Sequence, residues 1–204
     1  LIIGGGDGGI LREALRHKSI ETITMVEIDA GVVAFSKLHL PMVSAGAFDD
    51  PRAELVIADG TKYVAETDKR FDVIIVDSTD PVGPGAVLFE EAFYANAKRC
   101  LTPGGVIVTQ NGVPFLQPDE LASTIGKFRR LFSDANCYLA TIPTYVGGPM
   151  AMGWGTDDVA LRQTSAALLA ERFGSAGFST RYYTPEVHAA AFALPRYVQD
   201  CFPD

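Results

Sequence analysis

No apolar stretch in this sequence approaches the roughly 20 residues that a membrane-crossing helix requires, and no signal-peptide pattern precedes the first strand-like run. A soluble, cytoplasmic protein with no membrane partner is therefore expected. Cysteine is scarce and odd in number: Cys100, Cys137 and Cys201 are widely separated and show no metal-ligand spacing. That excludes a disulfide framework and a thiolate zinc site, and it implies reduced thiols and no structural metal. Basic residues are also in deficit. Seventeen Lys and Arg stand against 25 Asp and Glu, a formal net charge of −8, which excludes nonspecific nucleic-acid binding and suits a cationic partner. Internal repeats, low-complexity tracts and linkers are absent. So is an initiator methionine: Leu1 already reads as part of a strand, so a preceding segment is expected.

What is present is an α/β pattern. A chain of 204 residues, 48% of them hydrophobic, can bury roughly 70% of its unfolded surface, enough for one sizeable core. Strand-like runs occur at Leu1 to Ile3, Thr22 to Ile28, Glu54 to Ala58, Phe71 to Val76, Val106 to Gln110 and Tyr138 to Ile142. Met150 to Gly155 and Thr180 to Tyr183 are further candidates at one side of the sheet. Helix-compatible stretches separate most of them: Ile10 to His17, Gly31 to Leu40, Thr61 to Thr67, Glu90 to Leu101 and Pro118 to Phe132, with Pro103-Gly104-Gly105 as a stop after the fourth. The alternation predicts a single Rossmann-like domain over 1–204, a doubly wound and mostly parallel sheet. Phe128, Phe132 and Trp154 read as core, His188 as a packing residue, and His17 and His39 as helix-end residues.

Leu1-Ile2-Ile3-Gly4-Gly5-Gly6-Asp7-Gly8-Gly9 runs an apolar strand into a five-glycine turn with one carboxylate at its centre. Glycines allow close backbone approach, and a following helix N-terminus favours anions. Gly4, Gly6 and Gly9 satisfy GxGxxG, yet Asp7 stands where a pyrophosphate would lie and would repel it. A ligand with a cationic group near the loop fits better than NAD.

In a sheet of this kind ligands bind beyond the carboxyl ends of the strands, and acids recur there: Asp7, Glu27 with Asp29, Asp59, and Asp77 with Asp80. Any one of them is explicable as a turn or helix N-cap residue. Acids recurring at four successive strand ends are not. Glu27 stands twenty positions after Asp7, the separation at which an acid accepts from ribose hydroxyls. Asp59-Gly60 suits an exocyclic amine such as that of adenine. Asp77 ends the apolar run Val73-Ile74-Ile75-Val76 beside a Pro- and Gly-rich loop, Pro81 to Gly85, that reads as a lid.

Six motifs in order then carry a specific resemblance: Gly4-Gly5-Gly6-Asp7-Gly8-Gly9, Val26-Glu27-Ile28-Asp29, Asp59-Gly60, Asp77-Ser78-Thr79-Asp80-Pro81-Val82-Gly83-Pro84, Ile142-Pro143-Thr144-Tyr145, and His188 through Leu194-Pro195. Nearly the whole chain resembles the spermidine synthases, the polyamine aminopropyltransferases. The resemblance implies a methyltransferase-like Rossmann domain, a small N-terminal β-domain missing from these residues, and a homodimer or homotetramer. It implies decarboxylated S-adenosylmethionine as co-substrate, with no permanently bound cofactor, and putrescine as acceptor. Asp7 would then attract the donor's ammonium, Glu27 the ribose diol, and Asp59 and Gly60 the adenine, with Pro84 over the donor. Asp77 would act as the base, with Ser78, Thr79, Asp80, Gln110 and Tyr145 lining the amine site. An alkylamine with a pKa of about 10 is protonated at pH 7, a penalty of roughly 4 kcal/mol, so a base is required. Sulfonium is a good leaving group and requires no metal. The alternatives are an aminopropyltransferase for a longer amine, a putrescine N-methyltransferase, which Asp7 disfavours, and a noncatalytic nucleoside or polyamine binder. The glycine-rich run Gly147 to Gly155 departs from ordinary strand composition and is expected to weaken packing there.

Overall fold

The computed structural model describes residues 1–203, the side chain of Pro84 excepted. In chain order its elements are β1 (Ile2–Gly4), α1 (Gly9–Leu15), β2 (Ile23–Glu27), α2 (Ala30–His39), α3 (Pro41–Ser44), β3 (Ala53–Ile57), α4 (Gly60–Glu66), β4 (Phe71–Asp77), α5 (Glu91–Arg99), β5 (Leu101–Gln110), α6 (Pro118–Leu131), β6 (Asp134–Ala140), β7 (Met150–Thr156), α7 (Ala166–Ala176), α8 (Pro185–Ala191) and α9 (Arg196–Gln199). Short 3-10 segments cover Ala47–Asp49, Gly83–Phe89 and Leu161–Gln163. The strands form a mixed, mostly parallel seven-stranded sheet in the order β3-β2-β1-β4-β5-β7-β6, the α/β class that the alternation predicts. Two compact units divide the chain, Leu1–Thr102 and the remainder from Pro103.

In the first unit β1 pairs in parallel with both β2 and β4, and β2 with β3. The strands exist because Ile2, Ile3, Ile23, Met25 and Val26 are buried side chains that cover one another and the helices. Ile2, Ile23 and Met25 share one core with Leu11 and Leu15 of α1. Each such side chain contributes about 1.5–3 kcal/mol when fully buried. Two arginines tie helix ends to this core. Arg52 Nη2 donates to the Leu15 carbonyl at 2.8 Å, and Arg99 Nη2 to the Val64 carbonyl at 2.7 Å. They satisfy carbonyls that a helix C-terminus leaves unpaired.

In the second unit β7 lies between β5 and β6, antiparallel to both. Helix α6 covers it with Leu121, Ile125 and Phe128, which are all buried, and the first two share a core with Cys137, Ala151 and Val198. Phe128 meets Phe132 edge-on with ring centroids 5.3 Å apart, and both are core residues as expected. Trp154 is half-buried, with its indole N–H donating to Asp134 Oδ2 at 3.3 Å.

Three local expectations are corrected. Pro103-Gly104-Gly105 is not the stop itself, because the helix already ends at Arg99 and these residues lie inside β5, which starts at Leu101. Gly104, at φ +78°, lets the strand absorb a local distortion. Thr180 to Tyr183 forms no strand. Its side chains instead close the loop on itself, Thr180 Oγ1 donating to the Tyr183 carbonyl, while Tyr182 Oη accepts from Thr141 N–H at 2.9 Å. The glycines of β7 do not leave holes either: the space beside Gly155 is taken by the Phe132 ring, and that beside Gly153 by Thr109 and Asn111.

Candidate active site

The strand tips of the first unit gather the acids. Register places Gly4 of β1 opposite Asp77 of β4, so the glycine turn and the last residue of β4 are neighbours. Gly5, at φ +71°, donates its N–H to the Asp77 carbonyl at 3.0 Å. A Cβ on Gly5 would stand 3.1 Å from Asp77 Oδ2, and one on Gly6 would stand 2.9 Å from Glu27 Oε2. The turn is glycine because two carboxylates lie over its backbone.

Asp77 is half-buried among these acids. Burial above all, then the charges of Asp7 and Glu27, raises its pKa above the ordinary carboxylate value. Glu27, 8% exposed, accepts from Asp29 N–H through Oε1 at 3.0 Å, which orients its carboxylate. Asp7 Oδ1 accepts from Gly9 N–H at 2.8 Å, closing the loop into α1. A half-buried base with raised proton affinity, flanked by two further negative groups, is suited to bind a cation and take a proton from it.

Other acids serve the fold in part. Asp29 caps α2, accepting from Gly31 N–H at 2.7 Å and Val32 N–H at 3.3 Å. Asp59 caps α4 through Oδ1, which accepts from Thr61 N–H at 2.8 Å and Thr61 Oγ1 at 2.7 Å. The Thr61 hydroxyl is the main cause that holds the Asp59 pKa below its ordinary value. Gly60 lies against Ile3, whose Cγ2 would stand 2.6 Å from a Cβ there, so the helix start is pressed onto β1. Past Asp77, Ser78 Oγ donates to the Thr79 carbonyl at 3.1 Å, and Asp80 accepts at its carbonyl from Val82 N–H at 2.6 Å. Thr79 Oγ1 fills the space beside Gly85. The expectation for the Pro84 side chain falls outside the described residues.

In the second unit Gln110 ends β5, opposite Met152 of β7. Tyr145 follows a turn in which its own N–H donates to the Ile142 carbonyl at 3.0 Å, and its side chain is 53% exposed. His188 meets Tyr183, with Nδ1 3.3 Å from the phenol oxygen, and burial lowers its pKa. Burial also pushes the Cys137 thiol up to about 12, the state of an unreactive core thiol. Sequence reasoning passed over Asn111, a fully buried amide next to Gln110. Its signal was Gln-Asn-Gly at a strand end. Among the described residues no group of three His, Cys, Asp or Glu is placed to hold a metal, and no helix is long and apolar enough to cross a membrane.

A mostly parallel α/β sheet with a glycine turn after β1, an acid ending β2 and a half-buried carboxylate ending β4 is the fold of the S-adenosylmethionine-dependent transferases. The spermine/spermidine synthase domain matches residues 1–164, and the chain belongs to that family of polyamine aminopropyltransferases. It is 64% identical to the polyamine aminopropyltransferase of Ruegeria sp. (strain TM1040) over 203 residues, which is 100% of this chain and 72% of that one. To the polyamine aminopropyltransferase of Salmonella newport (strain SL254) it is 58% identical, over 98% of this chain and 70% of the relative. A crystal structure of spermidine synthase in complex with the transition state analogue AdoDATO superposes with a TM-score of 0.91 at 37% identity, over 98% of this chain and 67% of that one. Spermidine synthase from Thermotoga maritima does so with a TM-score of 0.86 at 34% identity, over 98% and 66%.

Proposed function

We propose that this chain forms the catalytic domain of a spermidine synthase, transferring an aminopropyl group from decarboxylated S-adenosylmethionine to putrescine. The observation that carries the reading is the Asp77 carboxylate, held over Gly5 at the tip of β4 with its proton affinity raised by burial and by Asp7 and Glu27. In this reading the acceptor amine arrives as an ammonium and gives its proton to Asp77. The freed lone pair attacks the carbon beside the sulfonium, the carbon–sulfur bond breaks, and its electron pair returns to sulfur as methylthioadenosine leaves. A base with a raised pKa accepts the proton more readily than an ordinary carboxylate does.

The remaining residues position the two cations, which supplies much of the acceleration. Asp7 receives the donor's ammonium, Glu27 the ribose hydroxyls, and Asp59 and Gly60 the adenine edge, with Pro84 over the donor. Asp80, with Ser78 and Thr79, holds the diamine, and Gln110 and Tyr145 line its path. A homodimer or homotetramer is the proposed assembly, measurable by light scattering.

The test supplies the protein with putrescine and either decarboxylated or intact S-adenosylmethionine and identifies products by mass spectrometry. Spermidine and methylthioadenosine, from the decarboxylated donor alone, are expected. N-methylputrescine from the intact donor would replace the reading with a methyltransferase, and turnover of spermidine in preference to putrescine would assign a longer acceptor. Binding with no product from either donor would leave a noncatalytic binder.

A further inference from the structure

We infer that Asn111 is a positioning residue for the acceptor, a buried amide that fixes the stretch of β5 on which Gln110 is carried; this rests on the reading of Gln110 as part of the amine site. Asn111 is 0% exposed and sits in a closed polar network. Its Oδ1 accepts from the Thr109 hydroxyl at 2.7 Å and from Gly153 N–H at 3.1 Å, and its Nδ2 donates to Thr124 Oγ1 at 2.8 Å. Thr109 and Thr124 are both 1% exposed. One side chain thereby joins β5, β7 and α6. Its backbone is fixed as well, since Asn111 N–H donates to the Ala151 carbonyl at 3.0 Å and Ala151 N–H to the Gly112 carbonyl at 2.9 Å.

The sequence is shaped around this amide. A Cβ on Gly153 would stand 2.5 Å from Thr109 Oγ1 and 2.6 Å from Asn111 Oδ1, so β7 has given up a side chain to make room for the network. An apolar residue at 111 would avoid the cost of burying a polar group. What it would not supply is direction: a satisfied amide admits one arrangement of its three neighbours, whereas an apolar side chain tolerates many. Strand alternation sets Gln110 on the face opposite Thr109 and Asn111. The network therefore grips β5 from behind while Gln110 projects from the other side. Loosening the network frees the end of β5 to rotate, which displaces Gln110.

The test compares wild type, Gln110→Ala, Asn111→Ala, Thr124→Val and Thr124→Ser by steady-state kinetics in both substrates and by thermal melting. Asn111→Ala and Thr124→Val are expected to raise the putrescine KM about fivefold, the ratio set by the net worth of one hydrogen bond, with the donor KM unchanged. Thr124→Ser keeps the hydroxyl and should restore the wild-type value. Should Asn111→Ala fail to fold, the near-isosteric Thr124→Val carries the test alone. A lowered melting temperature with an unchanged putrescine KM, or equal rises in both KM values, would make the network purely structural and overturn the inference. If Gln110→Ala itself leaves the putrescine KM unchanged, the assignment of Gln110 fails and takes this inference with it. A wild-type protein that makes no spermidine would show the failure to lie earlier, in the proposed reaction.

Discussion

Asp77 and Gly5 are locked together twice, by the Gly5 N–H bond to the Asp77 carbonyl at 3.0 Å and by the approach of Asp77 Oδ2 to within 3.1 Å of where a Gly5 Cβ would stand. Gly5→Ala therefore has two costs. It forces an L side chain to φ +71°, about 1–3 kcal/mol, and it pushes on the carboxylate proposed as the base. A fall in melting temperature of roughly 2–4 °C per kcal/mol is expected together with a loss of kcat. Loss of stability with full kcat would show that the close approach does not fix the carboxylate's working position.

Removing the base while keeping its shape tests Asp77 directly. Asp77→Asn should lower turnover by about 10²–10⁴-fold and leave donor affinity, measured by calorimetry, nearly unchanged. The same substitution should stabilise the fold. Burial and the charges of Asp7 and Glu27 raise the pKa of Asp77 in the folded chain, so the favourable contribution is fully present below the unfolded pKa and is lost as pH rises through the folded one. Above that folded-state pKa the ionised Asp77 is a liability that Asn removes. A melting temperature that falls on Asp77→Asn would contradict this.

The pH dependence of activity has the opposite sense, because the ionised form works. The rate should fall as pH is lowered through the raised pKa of Asp77, at a higher pH than an ordinary carboxylate would give. Asp7 is the larger of the two charges acting on it, so Asp7→Asn should move the acid limb of the kcat profile to lower pH. It should also erode the preference for the decarboxylated donor, whose ammonium Asp7 is proposed to attract and whose intact counterpart carries a repelled carboxylate. Profiles of kcat against pH, and donor competition in the same variant, check both effects. A limb that stays in place would mean that the charge of Asp7 does not reach Asp77.

The first unit was more legible in the sequence than the second. Three of its strands are short apolar runs ended by Gly, Glu or Asp, so pattern alone placed Gly4, Glu27 and Asp77 at the ends of β1, β2 and β4. What pattern could not resolve was the division of labour: Asp29 and Asp59 cap helices, a task that looks identical in sequence to meeting a ligand. In the second unit, β6 begins at Asp134, four residues before its apolar run at Tyr138, because its register is set by β7 pairing from Thr156 onward. Helices α7 and α8 carry Ser165 and Thr184 caps, signals that strand and helix periodicity passes over. Asn111 was passed over for a different reason: beyond Gln-Asn-Gly at a strand end, a buried amide is defined by partners 13 and 42 residues away.

One stability determinant lies apart from the proposed chemistry. Asp134, with a side chain only 8% exposed, accepts from Arg162 Nε at 2.9 Å and Nη2 at 2.7 Å and from the Trp154 indole at 3.3 Å. The bidentate pair ties the start of β6 to the Leu161–Gln163 turn, and Arg162 also lies over the Phe192 ring at 5.9 Å. Removing one partner of such a pair strands the other charge, a loss of about 3–5 kcal/mol when both are fully buried. Arg162 is 28% exposed at its side chain, so water recovers part of that loss, and Asp134→Ala is expected to cost roughly 2–3 kcal/mol. Arg162→Met should cost less than Asp134→Ala, since its stem can still cover Phe192 and Asp134 keeps the indole N–H. Denaturant unfolding of both single variants and the double variant measures the coupling, and equal, additive effects would show that the two residues stabilise the fold independently.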